Sequence, residues 1–238
     1  MNIPILMYHQ VDIAEPKGSR LRGLTVSPKS FGIQMELLRL FGYRGLSMHE
    51  LEPYLSGQKA GKVVGITFDD GYKNNFVNAL PVLLKNRFSA TCYGVSTQVE
   101  GTNAWDKHLG IRQKPLMSKM EWLEWKASGM EIASHGRTHH DLTSLPEAQA
   151  REEIELSKQE LESEFQCSIR HFCYPYGHYS EAHLAMVKQA GYITATTTHR
   201  GRVHLGHSPF ELSRIMVSRA CNWLQFSIKI LTAYEDRH

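Results

Sequence analysis

Cysteine is scarce and scattered: the chain has four, Cys92, Cys167, Cys173 and Cys221, among 238 residues, and no two form a CxxC pair. A chain of this length builds a sizeable core without disulfides, so a stapled scaffold is excluded and reduced, mostly buried thiols are expected. No apolar stretch reaches the roughly 20 residues of a membrane-spanning helix. No run of five or more basic residues occurs, and 27 Lys and Arg against 24 Asp and Glu give a net charge of only +3, which argues against nucleic acid as a partner. The opening Met-Asn-Ile-Pro-Ile-Leu-Met-Tyr-His has no basic segment and too short an apolar run for a standard export signal, so a cytoplasmic location is expected, with an extracytoplasmic function as the alternative. Hydrophobic residues at 42% and charged residues at 21% match ordinary globular usage rather than disorder.

What the chain has in quantity is histidine. Thirteen are present, and His is both the commonest metal ligand and the side chain that titrates near neutrality. Composition therefore nominates a metal or acid–base site.

Short β-type runs alternate with helical patterns over the whole length, which predicts a single α/β domain over 1–238 with a parallel sheet or barrel of about seven β/α units. Strands are predicted at 3–8, 62–68, 89–95, 130–134, 169–174, 192–198 and 215–217. Helix starts are read at Ser27-Pro28, at the pairs Ser47 with Glu50, Ser118 with Glu121 and Ser144 with Glu147, and at Ser180. A helix over 75–86 should bend at Pro81. The polar connection 96–117, with Trp105, Asp106 and His108, is long enough to be a lid or binding loop. Trp122 and Trp125 fall at core positions of their helix, and the apolar C-terminal stripe of Trp223, Leu224, Phe226, Ile228 and Leu231 is read as packing on the barrel.

Three predicted strands end in polar clusters: Asp69-Asp70-Gly71, His135-Gly136-Arg137-Thr138-His139-His140, and Tyr174-Pro175-Tyr176-Gly177-His178. In a β/α barrel the carboxyl ends of the strands converge on one mouth, so clusters far apart in sequence should meet there. Adjacent carboxylates point in different directions, which lets one hold a metal while the other faces substrate. Two His with three residues between them, joined by a carboxylate, give a ligand set that leaves positions open for water. His139 and His140 compete for the second imidazole position. Tyr176 is the aromatic best placed to face a ligand, while His178, His199, His204 and His207 lie on later loops, with His204 and His207 able to line the cleft.

Thr67-Phe68-Asp69-Asp70-Gly71-Tyr72 and Ser134-His135-Gly136-Arg137-Thr138-His139 resemble the first two motifs of the polysaccharide deacetylase family, the NodB-homology carbohydrate esterases. The resemblance covers nearly the whole chain, from the first strand to about Val217. It implies a distorted (β/α)7 TIM-like barrel, a divalent metal (usually zinc, with cobalt or nickel as alternatives), and hydrolysis of N-acetyl groups from N-acetylated carbohydrate. Carried over by motif, Asp69 is the general base and Asp70, His135 and His139 are metal ligands; His139 is preferred because His140-Asp141-Leu142 falls where the family motif continues with a residue pair and Leu. Two departures stand out. Cys173 occupies the place of the third motif's Arg, and the C-terminal Leu-x-apolar-His motif is missing, Leu212-Ser213-Arg214-Ile215 having no His. Leu6-Met7-Tyr8-His9 fits that motif at the other end of the chain. The barrel thus resembles the circularly permuted poly-β-1,6-N-acetylglucosamine deacetylases of bacterial biofilm systems, and His9 becomes the expected general acid. Arg214 is the expected substitute for the missing Arg, and Tyr174, Pro175, Tyr176 and Arg214 are expected to line the substrate site. The alternatives are a deacylase of a small or lipid-linked amide and a carbohydrate-binding pseudoenzyme.

Overall fold

Val63–Phe68 (β5) is a run of β-branched and aromatic residues with every side chain buried, the signature of a strand covered on both faces. It is flanked on one edge by Ile5–Tyr8 (β1), in parallel register from Ile5 opposite Gly65 to Tyr8 opposite Phe68. The computed structural model describes residues 2–236. Around β5 and β1 the parallel ring continues through Thr91–Gly94 (β6), Glu131–Ser134 (β7), His171–Cys173 (β8), Thr194–Arg200 (β9) and Leu212–Met216 (β10), and β10 pairs back onto β1. Seven strands thus close a barrel, with the first strand of the chain lying between β10 and β5.

The helices cover the outside: α1 (Pro28–Leu40), α2 (Met48–Leu55), α3 (Leu80–Asn86), α4 (Lys119–Ala127), α5 (Glu147–Phe165), α6 (Glu181–Gln189) and α7 (Trp223–Leu231). Ser27 caps α1 with Pro28 at its first position, and Ser118 and Glu121 form a complete capping box on α4, as the sequence predicts. Trp122 and Trp125 of α4 are buried in the core. On α7 the expected packing stripe is corrected: Phe226 is buried together with Ile230, while Trp223, Leu224, Ile228 and Leu231 are exposed.

Several local expectations are corrected. Ser144 does not cap α5: it ends a 3₁₀ turn over Leu142–Ser144 with its hydroxyl donating to Asp141 O, and Pro146 occupies the N-cap position. The Ser47 capping box is half formed, because Ser47 Oγ accepts from Glu50 N–H while the Glu50 carboxylate takes the Ser89 hydroxyl. The helix predicted over 75–86 opens with a π-helical turn over Asn75–Ala79, so the irregularity precedes Pro81, which sits at the start of α3. Three short strands escape the sequence pattern. Gln10–Val11 (β2) and Thr25–Val26 (β3) pair with each other. Arg44–Leu46 (β4) pairs with the first half of β5, and Gly45 O accepts from Ser89 N–H just before β6, so β4 is wedged between those strands at their N-terminal ends.

Candidate active site

The mouth is built where β1, β5, β7 and β8 run out. Asp69 and Asp70 follow β5, His135 follows β7, and Tyr176 follows β8 in a turn that continues to Gly177. Three side chains of this mouth sit on left-handed backbone: Asp70 at φ 75°, His139 at φ 63° and Tyr176 at φ 59°. Strain of this kind in non-glycine residues, costing of order 1–3 kcal/mol each, concentrates at sites that must aim a group. Gly177 shares the conformation at φ +75°, and a Cβ there would lie 2.0 Å from Thr198 Oγ1, so the turn presenting Tyr176 admits only glycine.

Asp69 is gripped by Arg214. The guanidinium of this fully buried residue donates through Nη1 to Asp69 Oδ1 at 2.7 Å and through Nη2 to Oδ2 at 2.8 Å. Its remaining donors reach Thr67 Oγ1 (3.1 Å), Thr197 O (2.9 Å) and Cys173 Sγ (3.2 Å). All five N–H groups are engaged, which leaves none for a substrate. Burial pushes the Asp69 carboxyl up, but the Arg214 charge and hydrogen bonds, with His9 and His135 nearby, outweigh it and hold the group below its ordinary value. His9 Nε2 stands 4.0 Å from Asp69 Oδ2. Its backbone is fixed by Asn75, whose side-chain amide donates to His9 O at 2.7 Å and accepts from Val11 N–H at 3.1 Å.

Asp70 faces two imidazoles. Its Oδ1 lies 3.4 Å from His135 Nε2 and 3.3 Å from His139 Nε2, all three residues being buried. His135 Nδ1 is 2.8 Å from Cys173 O; a carbonyl only accepts, so Nδ1 carries a proton and Nε2 is the nitrogen turned to Asp70. Four ligands at about 2.0 Å from a tetrahedral ion are spaced about 3.3 Å apart, and the Asp70 to His135 and His139 separations match that edge. The residues therefore fit a divalent cation of the zinc class. Burial opposes charge on His135, yet Cys173 and Asp70 beside it raise its pKa well above the usual value, while burial leaves that of His139 lowered. Asp69, His135 and Cys173 also lie within 4.8 Å of one another, but both oxygens of that carboxylate and the thiol accept from one buried guanidinium, Arg214, and no second carboxylate offsets its charge there.

The loop that delivers His139 is held by α5: Glu153 Oε2 accepts from Arg137 N–H at 3.0 Å and Thr138 N–H at 2.9 Å. His140 is exposed beside Thr138 and is not brought to Asp70. The long connection 96–117 does reach the mouth, where Trp105 stacks on His139 with ring centroids 4.5 Å apart. Tyr176 meets the same imidazole edge-on at 4.7 Å and is 42% exposed, enough to touch a ligand. Buried Asp106 lies in the same loop, with a carboxyl raised by burial and by the charge of Asp70.

Other expected contacts are placed elsewhere. Tyr174 is in the core, its hydroxyl donating to Phe210 O and its ring stacked on Tyr179. Pro175 is buried near Gly136. Arg214 is a partner of Asp69 rather than a wall of the substrate site. His204 and His207 line a cleft, but at the opposite end of the barrel, with His49 and Glu52. Asn75 and Glu153 went unnoticed in the sequence; an Asn or Glu three to fifteen residues after a site motif carries no signal of its own until the fold shows which backbone it binds.

A family sequence profile described as polysaccharide deacetylase matches residues 56–195. The chain belongs to this family. Among curated relatives, a Bacillus subtilis protein named as a polysaccharide deacetylase, YxkH, is 31% identical over 218 residues, 91% of this chain and 71% of its own length. The poly-β-1,6-N-acetyl-D-glucosamine N-deacetylase of Staphylococcus aureus is 25% identical over 211 residues, 83% of this chain and 69% of its own. Among solved structures, the Streptococcus pyogenes deacetylase PplD in complex with acetate superposes with a TM-score of 0.83 at 25% identity, covering 97% of this chain and 98% of the other. IcaB from Ammonifex degensii gives 0.81 at 26% identity over 96% and 97%. This polysaccharide deacetylase is accordingly a hydrolase that removes N-acetyl groups from carbohydrate, on a distorted (β/α)7 barrel, in a family that is generally metal-dependent. Among the described residues no helix is long and apolar enough to cross a membrane.

Proposed function

We propose that this chain, as one catalytic domain over 1–238, de-N-acetylates a polymer of N-acetylated amino sugars of the bacterial exopolysaccharide or cell-surface type, with Asp69 as general base, His9 as general acid and Asp70, His135 and His139 as ligands of a divalent cation, zinc first among candidates. The observation that carries the reading is the division of labour in the adjacent carboxylates: Asp69 is committed to Arg214 and Asp70 to two imidazoles.

A bound divalent cation polarises an amide carbonyl and lowers the pKa of a coordinated water. Asp69, kept ionised by Arg214, accepts the proton of the attacking water. The backbone N–H of Tyr176, on its left-handed turn, donates to the oxygen that becomes negative as water adds. His9 gives a proton to the departing amine nitrogen, yielding acetate and a free amino sugar. Trp105 and Tyr176, both packed on His139, offer aromatic surface to the sugar ring.

The polymer assignment is supported by likeness to relatives named for poly-β-1,6-N-acetylglucosamine and by the exposed aromatic rim at Tyr176. Acetate release is to be measured from poly-β-1,6-N-acetylglucosamine oligomers and from the monosaccharide, after chelation and after return of zinc, cobalt or nickel. Metal-restored release that grows with oligomer length is expected. Equal or faster turnover of the monosaccharide would overturn the polymer reading, and release that survives complete chelation would overturn the metal reading.

A further inference from the structure

The amino ends of the strands, away from the mouth, carry a second cluster of ligand-type side chains. His171 opens β8 and is fully buried, and Glu131 opens β7. His49 and Glu52 are three apart on α2, which puts them on one face of that helix. His171 Nδ1 is engaged with Thr194 Oγ1 at 2.8 Å, so its other nitrogen is the one left to account for. That Nε2 is 3.3 Å from Glu52 Oε1 and 3.2 Å from Glu131 Oε1, yet aligned for a hydrogen bond with neither, and it is a buried polar atom without a partner. His49 Nδ1 closes the group at 3.2 Å from the same Glu52 oxygen.

These separations repeat the spacing at the mouth and match the ligand-to-ligand edge of about 3.3 Å in a tetrahedral zinc-class site. Two carboxylates stand against one guanidinium, Arg170 donating through Nε to Glu52 Oε1 (2.9 Å) and through Nη2 to Oε2 (2.7 Å). An added cation therefore meets net negative charge, and Arg170 keeps Glu52 oriented while the second lone pair of Oε1 is left for the side of His49 and His171. Solvent reaches the group through a cleft of about 730 Å³ lined by His49 and Glu52, and the His49 side chain is 61% exposed.

We infer that the base of the barrel is a second divalent-cation site, of the zinc class, held by His49 Nδ1, Glu52 Oε1 and His171 Nε2 with Glu131 beside them. An ion there ties α2 to β8 and lies far from the reaction, so its role is structural. The contrary account is a doubly protonated His171 bridging the two glutamates with no metal.

The test counts zinc in the full chain by elemental analysis after dialysis against a weak chelator. Two ions per chain are expected in the natural sequence, and one in a variant with the mouth emptied by Asp70→Asn and His139→Ala. Adding His49→Ala to that variant should remove the last ion; His49 is exposed, so the fold tolerates its loss. In the emptied-mouth protein, zinc at a hundredfold excess over Kd should raise the unfolding temperature by roughly 5 to 10 °C, and His49→Ala should abolish the rise. His171→Asn, which preserves a hydrogen-bonding group toward Thr194, gives an independent second variant. His49→Ala in the otherwise natural chain should leave acetate release unchanged, which separates this site from the proposed reaction. No ion in the emptied-mouth protein, or an ion and a zinc-dependent temperature rise that survive His49→Ala in it, would overturn the inference, whereas a single ion in the natural sequence that His49→Ala removes would count against the mouth site instead.

Discussion

The pair Asp69–Arg214 is the strongest single claim on both stability and chemistry, and replacing Arg214 by Met tests it. Both partners are buried and joined by two hydrogen bonds of 2.7 and 2.8 Å. Removing one member strands a charge in the interior at a cost of about 3–5 kcal/mol. For a chain of this length each kcal/mol is about 2–4 °C in Tm, so Arg214→Met should unfold roughly 6–20 °C below the natural protein when followed by circular dichroism. Removing both charges, in Asp69→Asn with Arg214→Met, is far milder, because a buried pair replaced as a unit is often nearly neutral; the double variant should recover most of the lost temperature and none of the activity. The sign with pH follows from the lowered Asp69 carboxyl. Its contribution to stability is present above the unfolded Asp value of about 3.9 and is lost as pH falls through the folded value below it. In Arg214→Met burial raises the carboxyl, so the acid limb of the kcat/KM profile should move to higher pH. A single variant that unfolds within about 2 °C of the natural protein, or a double variant no more stable than the single one, would show that Asp69 and Arg214 are not a buried charge pair of this strength, since about 3 kcal/mol cannot hide in that interval.

Other outcomes follow from the same geometry. His9→Asn should lower kcat by roughly 10²–10⁴-fold with metal content unchanged; a loss of metal, or unchanged kcat, would remove His9 from the acid role. Exchanging the partners, Cys173→Arg with Arg214→Cys, should restore measurable turnover relative to Arg214→Cys alone, because Cys173 Sγ already touches the guanidinium at 3.2 Å; no recovery in a folded protein would mean that β8 cannot supply the charge. Glu153→Ala frees two backbone N–H groups of the His139 loop and should weaken zinc binding by roughly 10–100-fold, read as a shift in competition with a chelator. Gly177→Ala should lower Tm by several degrees through left-handed strain and the contact with Thr198, and an unchanged Tm would show that the turn relaxes freely.

Much of the barrel and the mouth is legible in the sequence, and what is missed has a physical reason. Strand-end clusters are visible because polar residues interrupt apolar runs, which is how Asp69, Asp70, His135 and His139 come together in the text before they meet in space. Arg214 is readable only as a gap filled from elsewhere, since its link to Asp69 crosses 145 residues. Strand β4 offers Arg44-Gly45-Leu46, too short for any period, and its pairing depends on Gly45 fitting against Ile66 and Phe88. Ser144 with Glu147 has the right spacing for a cap, but Asp141 captures the preceding turn and Pro146 begins the helix. Tyr174 lies one residue past β8 and looks like a mouth residue by position, whereas its ring turns into the core where Tyr179 and Phe210 receive it. The cluster at His49, Glu52 and His171 has no local motif because its members are brought together by a helix and a strand that are remote in the chain.

The position of β1 between β10 and β5 carries a consequence for how the protein comes into being. Of the seven barrel strands, the one that His9 follows is made first and the one that carries Arg214 last, and β1 gains its second neighbour only when β10 arrives. Synthesis delivers the N-terminal strand first, so an exposed edge must wait through almost the whole chain before the ring can shut. Pairings of such sequence separation form late and slowly. Nascent chains stopped before residue 212 therefore contain Asp69, Asp70, His135 and His139, yet lack the guanidinium that holds Asp69. If Asp69 is the base proposed above, competence for turnover arrives in the same event as closure, and an unfinished chain is inert toward the acetamido groups it meets.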